Sequence, residues 1–119
     1  MFNLTKKSQT EQNIFYFGHD TNDKNNFQYE YITSDFDYAA SIGRYVYKLE
    51  VVLRNPWTTE DINDTKTQDW VQFYGELEGQ GYDGVKINEE DGSVVMVPFN
   101  GDSTKIVEII NNLPEEAKV

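Results

Sequence analysis

The chain has 119 residues, enough for one domain with a single core, and no cysteine, which excludes disulfides, thiol nucleophiles and thiolate metal sites. Its formal net charge is −11, and such a field repels nucleic acid, which binds through cationic contacts. We therefore predict no direct nucleic-acid binding, and an acidic surface that either meets a basic protein or serves only solubility. Without a signal-peptide pattern or an apolar window of membrane-spanning length, the sequence predicts a cytoplasmic protein with no membrane contact.

The first half of the chain predicts two short strands, a short helix and a long strand. Ser34 is predicted to cap the helix, with Asp37 completing a capping-box-like pair, and Gly43 to end it at positive φ. Apolar residues at every second position of the long strand predict one buried face. The predicted bounds are 13–18 and 29–33 for the short strands, 36–42 for the helix and 44–54 for the long strand.

The second half predicts a polar loop, an amphipathic helix and a hairpin. The loop covers 57–66, and the helix, with Thr67 as its cap, ends near Glu78. Strands at 82–88 and 93–99 flank a turn at 89–92 with an Asp-Gly signal. Residues 103–112 fit a helix or a last strand equally well. The fold class is therefore α+β, with split antiparallel sheets and two short helices, a core over about 13–110 and loose tails.

Several residues are candidates for chemistry, each with a structural alternative. His19, the only histidine, is of the residue type that suits a base or a substrate-orienting group, or else it is a surface residue at a strand end. Glu89-Glu90-Asp91 could supply a catalytic carboxylate or a divalent-ion site. The structural alternative is a charged hairpin tip that is simply exposed to solvent. Tyr29 and Tyr31 either stack on a flat heterocycle or pack in the core. A single histidine and no cysteine argue against a dedicated zinc site, and no metal site is assigned.

Five short motifs, in order, carry a resemblance that none of them carries alone. They are Phe17-Gly18-His19, Tyr31-Ile32-Thr33-Ser34, the strand ending in Asn55-Pro56, Tyr82-Asp83-Gly84-Val85, and the apolar strand Val94 to Phe99. Together they resemble the small ADP-ribosyltransferase-like domains of bacteria and their viruses, relatives of the diphtheria-toxin and poly-ADP-ribose-polymerase group. The resemblance covers about residues 13–110.

The resemblance implies two small sheets around a cleft that binds NAD as a substrate. Tyr31 would stack on nicotinamide, with Thr33, Ser34 and Gly18 also on the cofactor side. Glu89 would stabilise the oxocarbenium-like transition state, and His19 or its neighbourhood would hold the ribose. The implied activity is mono-ADP-ribosylation of a host protein, as expected of a phage or bacterial effector; for a viral protein the location is the host cytoplasm.

Two positions depart from the family pattern and support an alternative. The family histidine aligns with Phe17 and the family glutamate with Ser93, so Glu89 or Glu90 would act from the hairpin instead, and Glu89 is the one assigned. With the strong negative charge, these departures favour a second hypothesis. In it, an inactive protein of the same fold uses its acidic surface to block a basic, nucleic-acid-binding surface of a host protein.

Overall fold

The computed structural model describes residues 13–60 and 70–112 and shows a small α+β domain with seven strands and two helices. The elements in chain order are β1 (Ile14–His19), β2 (Ile32–Thr33), α1 (Phe36–Ile42), β3 (Tyr45–Val51), β4 (Pro56–Thr59), α2 (Trp70–Gly79), β5 (Gly84–Asn88), β6 (Val94–Pro98) and β7 (Thr104–Asn111), with a 3₁₀ turn at Gly101–Ser103. The predicted loose tails and the Thr67 cap lie outside the described residues. No described helix has the length and apolarity that crossing a membrane requires.

The strands pair in the order β4-β5-β6-β2-β1-β3-β7. All neighbours are antiparallel except β4 and β5, which run parallel. The expectation of purely antiparallel sheets is therefore wrong at β4, in a stretch predicted to be loop. Pro56 is compatible with the first position of the edge strand β4, because a backbone N–H is not required there for pairing with a neighbouring strand. The two halves of the sheet join only through the two-residue β2.

The core divides into two clusters, which lie on opposite faces of the sheet. Buried Tyr47, Leu49 and Val51 of β3 confirm the predicted apolar face, and they pack with residues such as Phe15 and Phe27. The second cluster lies beneath α2 and is built from β5, β6 and that helix; its members are Tyr74, Leu77, Val85, Ile87, Val95, Val97 and Phe99. Burial of apolar surface on both faces thus stabilises the sheet.

Both helices lie on one face of the sheet. Tyr16 of β1 meets Phe36 of α1 edge-on at 5.2 Å between ring centroids, and the backbone pairs Tyr16 with Thr33. Thr33 in turn pairs with Val95, which belongs to the cluster under α2. Directly paired residues point to the same side of a sheet, so α1 and α2 share this helix face.

Several local predictions hold and others need correction. The helix at 36–42, the hairpin at 89–92 and a strand near 13–18 are confirmed, and the ambiguous segment 103–112 forms β7. The predicted strand 29–33 shrinks to two residues, because Tyr29 adopts φ 63° and its amide donates to the Pro98 carbonyl at 2.7 Å. Gly43 has φ −153°, an extended value, so it does not end α1 by positive φ. A side chain is excluded there because a Cβ would lie 2.6 Å from the His19 backbone.

Candidate functional site

A cleft of about 260 Å³ opens on the helix face where β2 meets β6. We call it the Tyr31 cleft. Three parts of the chain surround it: the segment from β2 into α1, the β5–β6 hairpin, and the first half of β6. Its lining residues are Tyr31, Thr33, Asp35, Tyr38, Glu89, Asp91, Ser93 and Val95. The volume lies just below the range of about 300–1,000 Å³ for small-molecule sites, which suits part of a nucleotide-sized ligand.

Tyr31 is held at the cleft by the irregular chain just before β2. The left-handed turn at Tyr29 is fixed on both sides, because its amide bonds to Pro98 and its ring stacks on Tyr74 at 6.0 Å. The Tyr31 hydroxyl lies 3.0 Å from the Tyr74 hydroxyl, which ties the outer end of the ring to α2. Tyr31 is nonetheless 38% exposed and lines the cleft, so part of this residue is accessible to a ligand.

A second phenol ring enters from the first turn of α1. The Asp35 carboxylate caps this helix by accepting from the Tyr38 amide at 3.1 Å, and the Thr33 hydroxyl accepts from the Asp35 amide at 3.0 Å. These bonds place Tyr38, which is 59% exposed, on the cleft opposite the sheet strands. Sequence analysis missed Tyr38, although its position three residues after a cap residue identifies it as part of the first helical turn.

The hairpin positions two carboxylates through one serine. The Ser93 hydroxyl donates to Asp91 at 2.6 Å and lies 3.2 Å from Glu89, and the Ser93 amide also donates to Asp91. These hydrogen bonds lower the pKa of the Asp91 carboxyl, so that group stays ionised near neutral pH. A hydroxyl has one proton, and the shorter bond holds it on Asp91. The Glu89 carboxylate therefore keeps its acceptor capacity for a ligand.

The charge of the cleft favours a cation. Asp35, Glu89 and Asp91 contribute three carboxylates, and no lining residue carries a positive charge. An aromatic ring attracts a cation placed over its face, which adds to this preference. The described part of the chain contains no cluster of three His, Asp or Glu side chains that could hold a metal ion. The lining of the cleft is therefore anionic and aromatic.

His19 and Gly18 do not reach the Tyr31 cleft. A Cβ on Gly18 would lie 2.0 Å from the Ala39 carbonyl oxygen, so this residue faces α1, and its strand neighbours point to the opposite face. His19 accordingly lies against Tyr47 at 6.5 Å between rings, and Phe17 packs edge-on against Phe27 at 5.5 Å. The structure therefore gives Gly18 a packing role and leaves His19 across the sheet from Glu89.

Ser34 likewise serves the fold, and not as the predicted helix cap. Its hydroxyl accepts from the Val94 amide at 2.8 Å, and its own amide donates to the Val94 carbonyl. Asp35 takes the cap position instead. Of the predicted residues, the structure brings together Tyr31, Thr33 and Glu89.

The chain matches no protein-family model, no curated protein and no solved structure.

Proposed function

We propose that the protein is an NAD-dependent mono-ADP-ribosyltransferase that modifies a host protein, in the manner of a phage or bacterial effector. The observation that supports this most is the convergence of Tyr31, Thr33 and Glu89 on one cleft. Glu89 is more than fifty residues from the other two in the sequence, and the family resemblance implies that all three belong to one NAD site. An exposed Tyr31 ring beside a hollow is the condition that this function requires.

The cleft suits the nicotinamide end of NAD in shape and in charge. The nicotinamide ring of NAD is flat and carries a positive charge, which fits two phenol rings, Tyr31 and Tyr38, and the three carboxylates. The diphosphate is anionic, so in this proposal it extends past the rim, away from Asp35 and Asp91. The cleft volume of about 260 Å³ agrees with partial enclosure of the ligand.

The proposed chemistry needs one free carboxylate at the ribose. The bond from the ribose C1′ to the pyridinium nitrogen breaks, and its electron pair leaves with nicotinamide, which becomes neutral. Positive charge then develops on the ribose, where the Glu89 carboxylate stabilises it. A nucleophilic atom of the target protein forms the new bond to C1′ and loses its proton to water. Ser93 is a positioning residue in this scheme, because its hydroxyl lies 2.6 Å from the Asp91 carboxylate and 3.2 Å from the Glu89 carboxylate.

An assay with labelled NAD tests this proposal, and its two readouts are the release of nicotinamide and a mass gain on the target protein. We expect Glu89→Gln to lose turnover by about 10²–10³-fold while keeping NAD binding, because only the transition-state interaction is removed. The matched control is Glu90→Gln, the next residue on the same turn, which is exposed and does not line the cleft. Equal turnover in the Glu89 and Glu90 variants would refute the catalytic assignment.

A second candidate function is the inactive acidic binding protein, and one observation favours it. Phe17, at the family's histidine position, packs in the core, and His19 lies across the sheet, so no histidine lines the cleft. In this alternative the carboxylates around the cleft bind a basic protein surface. It predicts a complex that weakens steeply with salt and an absence of NAD binding. A complex insensitive to ionic strength would count against it.

A further inference from the structure

A second hollow, of about 570 Å³, lies on the sheet face opposite the helices. The strand register fixes its side. Lys86 pairs with Met96 and both line this hollow, whereas the neighbouring pair, Ile87 with Val95, points to the helix face. We call it the Lys86 hollow. Its volume is in the middle of the range of about 300–1,000 Å³ that small-molecule sites occupy.

The walls of the Lys86 hollow carry apolar and polar surface in about equal parts. Phe15, Val51 and Met96 belong to the buried core cluster of this face, and partly buried residues complete the apolar lining. Those partly buried residues are Leu53 and Val94. An apolar patch in a concave site can hold the hydrophobic body of a ligand, because covering it releases water.

Lys86 is the one cation among the lining residues, and it has no partner in the described part of the chain. It is half-buried and makes neither an ion pair nor a side-chain hydrogen bond with residues 13–60 or 70–112. Lys24, by contrast, is paired with Glu30 at 2.6 Å. In a chain of net charge −11, a lysine left unpaired beside this hollow leaves three N–H donors available to an anion.

We propose that the Lys86 hollow binds a small amphiphilic monoanion, with its hydrocarbon part against the apolar wall and its carboxylate or sulfonate on the Lys86 ammonium. The charge of the hollow is opposite to that of the Tyr31 cleft, and the two sites share no lining residue. The proposal is therefore independent of the NAD proposal.

The test compares an anionic dye with its neutral analogue on the folded, full-length chain. The anion is 8-anilinonaphthalene-1-sulfonate and the neutral analogue is N-phenyl-1-naphthylamine, both followed by fluorescence titration. We expect one sulfonate dye per chain, displaced by decanoate but not by the same concentration of decan-1-ol. Lys86→Met should weaken the sulfonate about 10- to 100-fold and leave the neutral dye unchanged, since only the charge-assisted bond is lost.

Matched variants separate this site from general dye binding. Lys48→Met removes an equally half-buried lysine from another strand and should change neither affinity. Lys86→Arg should retain sulfonate binding because it keeps the charge. Val94→Phe should weaken both dyes by filling the hollow. Equal sulfonate affinity in wild type and Lys86→Met, or unchanged affinity for both dyes in Val94→Phe, would overturn the proposal.

Discussion

Replacing Asp83 tests whether two of the sequence motifs serve the fold. The Asp83 carboxylate accepts from the amides of Arg54 and Asn55 at 2.6 and 3.0 Å, and the Asp83 amide donates to the Asn55 carbonyl at 3.1 Å. The Asn55-Pro56 and Tyr82-Asp83-Gly84 motifs are thus one interlocked structure. Gly84 completes it, because a Cβ there would lie 2.6 Å from the Val97 carbonyl oxygen.

The expected cost follows from these two charge-assisted hydrogen bonds. Each is worth about 1.5–3 kcal/mol when fully desolvated, but Arg54 and Asn55 are exposed, so water replaces part of what is lost. We therefore expect Asp83→Ala to lower the free energy of unfolding by about 2–3 kcal/mol. Asp83→Asn should cost less, because its amide oxygen still accepts one of the two bonds.

Urea denaturation monitored by circular dichroism measures this difference. The matched control is Asp23→Ala, which removes the same charge from an exposed loop position and should change stability by no more than about 0.5 kcal/mol. Hydrogen exchange provides a second measurement, since the Arg54 and Asn55 amides should exchange faster in Asp83→Ala. A variant as stable as Asp23→Ala, with unchanged exchange at both amides, would refute the reasoning.

Two further predictions concern packing and pH. Gly18→Ala should destabilise the protein by about 1–3 kcal/mol, because the new Cβ would lie 2.0 Å from the Ala39 carbonyl oxygen. Gly75→Ala, on α2 with nothing within 4 Å of the new Cβ, should stabilise it by about 0.5–1 kcal/mol. Thermal melts of both variants measure the difference, and equal stability of the two would contradict the packing described for Gly18. The hydrogen bond from Tyr29 to Glu78 raises the pKa of the Tyr29 phenol, so its stabilisation is complete below the ordinary pKa near 10 and is lost as pH rises through the folded-state value. The stability difference between wild type and Tyr29→Phe should therefore be constant below about pH 10 and shrink above it, and a difference that grows with pH would contradict this sign.

The elements that were predicted well are those with local signals. The helix at 36–42 has Asp35 as its cap and Asp37 in its first turn. The Asp91-Gly92 pair fixes the hairpin turn, with Gly92 at φ 90°. The Tyr31, Thr33 and Glu89 convergence was also expected, although only through the resemblance. The helix and the hairpin turn depend on residues within about four positions of one another, whereas the expected convergence depends on the order of the motifs along the chain.

The errors share one physical cause, which is contact between distant parts of the chain. Ser34 and Asp35 are both good cap residues, and the choice between them is made by a bond from Ser34 to Val94, sixty residues away. β4 forms because β5 offers a parallel partner, which local patterning does not report. The conformation of Tyr29 depends on the Pro98 carbonyl, and no local signal predicts positive φ for a tyrosine.

Calorimetric titration of the purified protein with NAD tests the central claim most directly. The account predicts saturable binding with one site per chain, loss of that binding in Tyr31→Ala, and affinity close to wild type in Glu90→Gln. Absence of binding to the wild-type protein, or equal affinity in wild type and Tyr31→Ala, would contradict the assignment of the Tyr31 cleft to NAD.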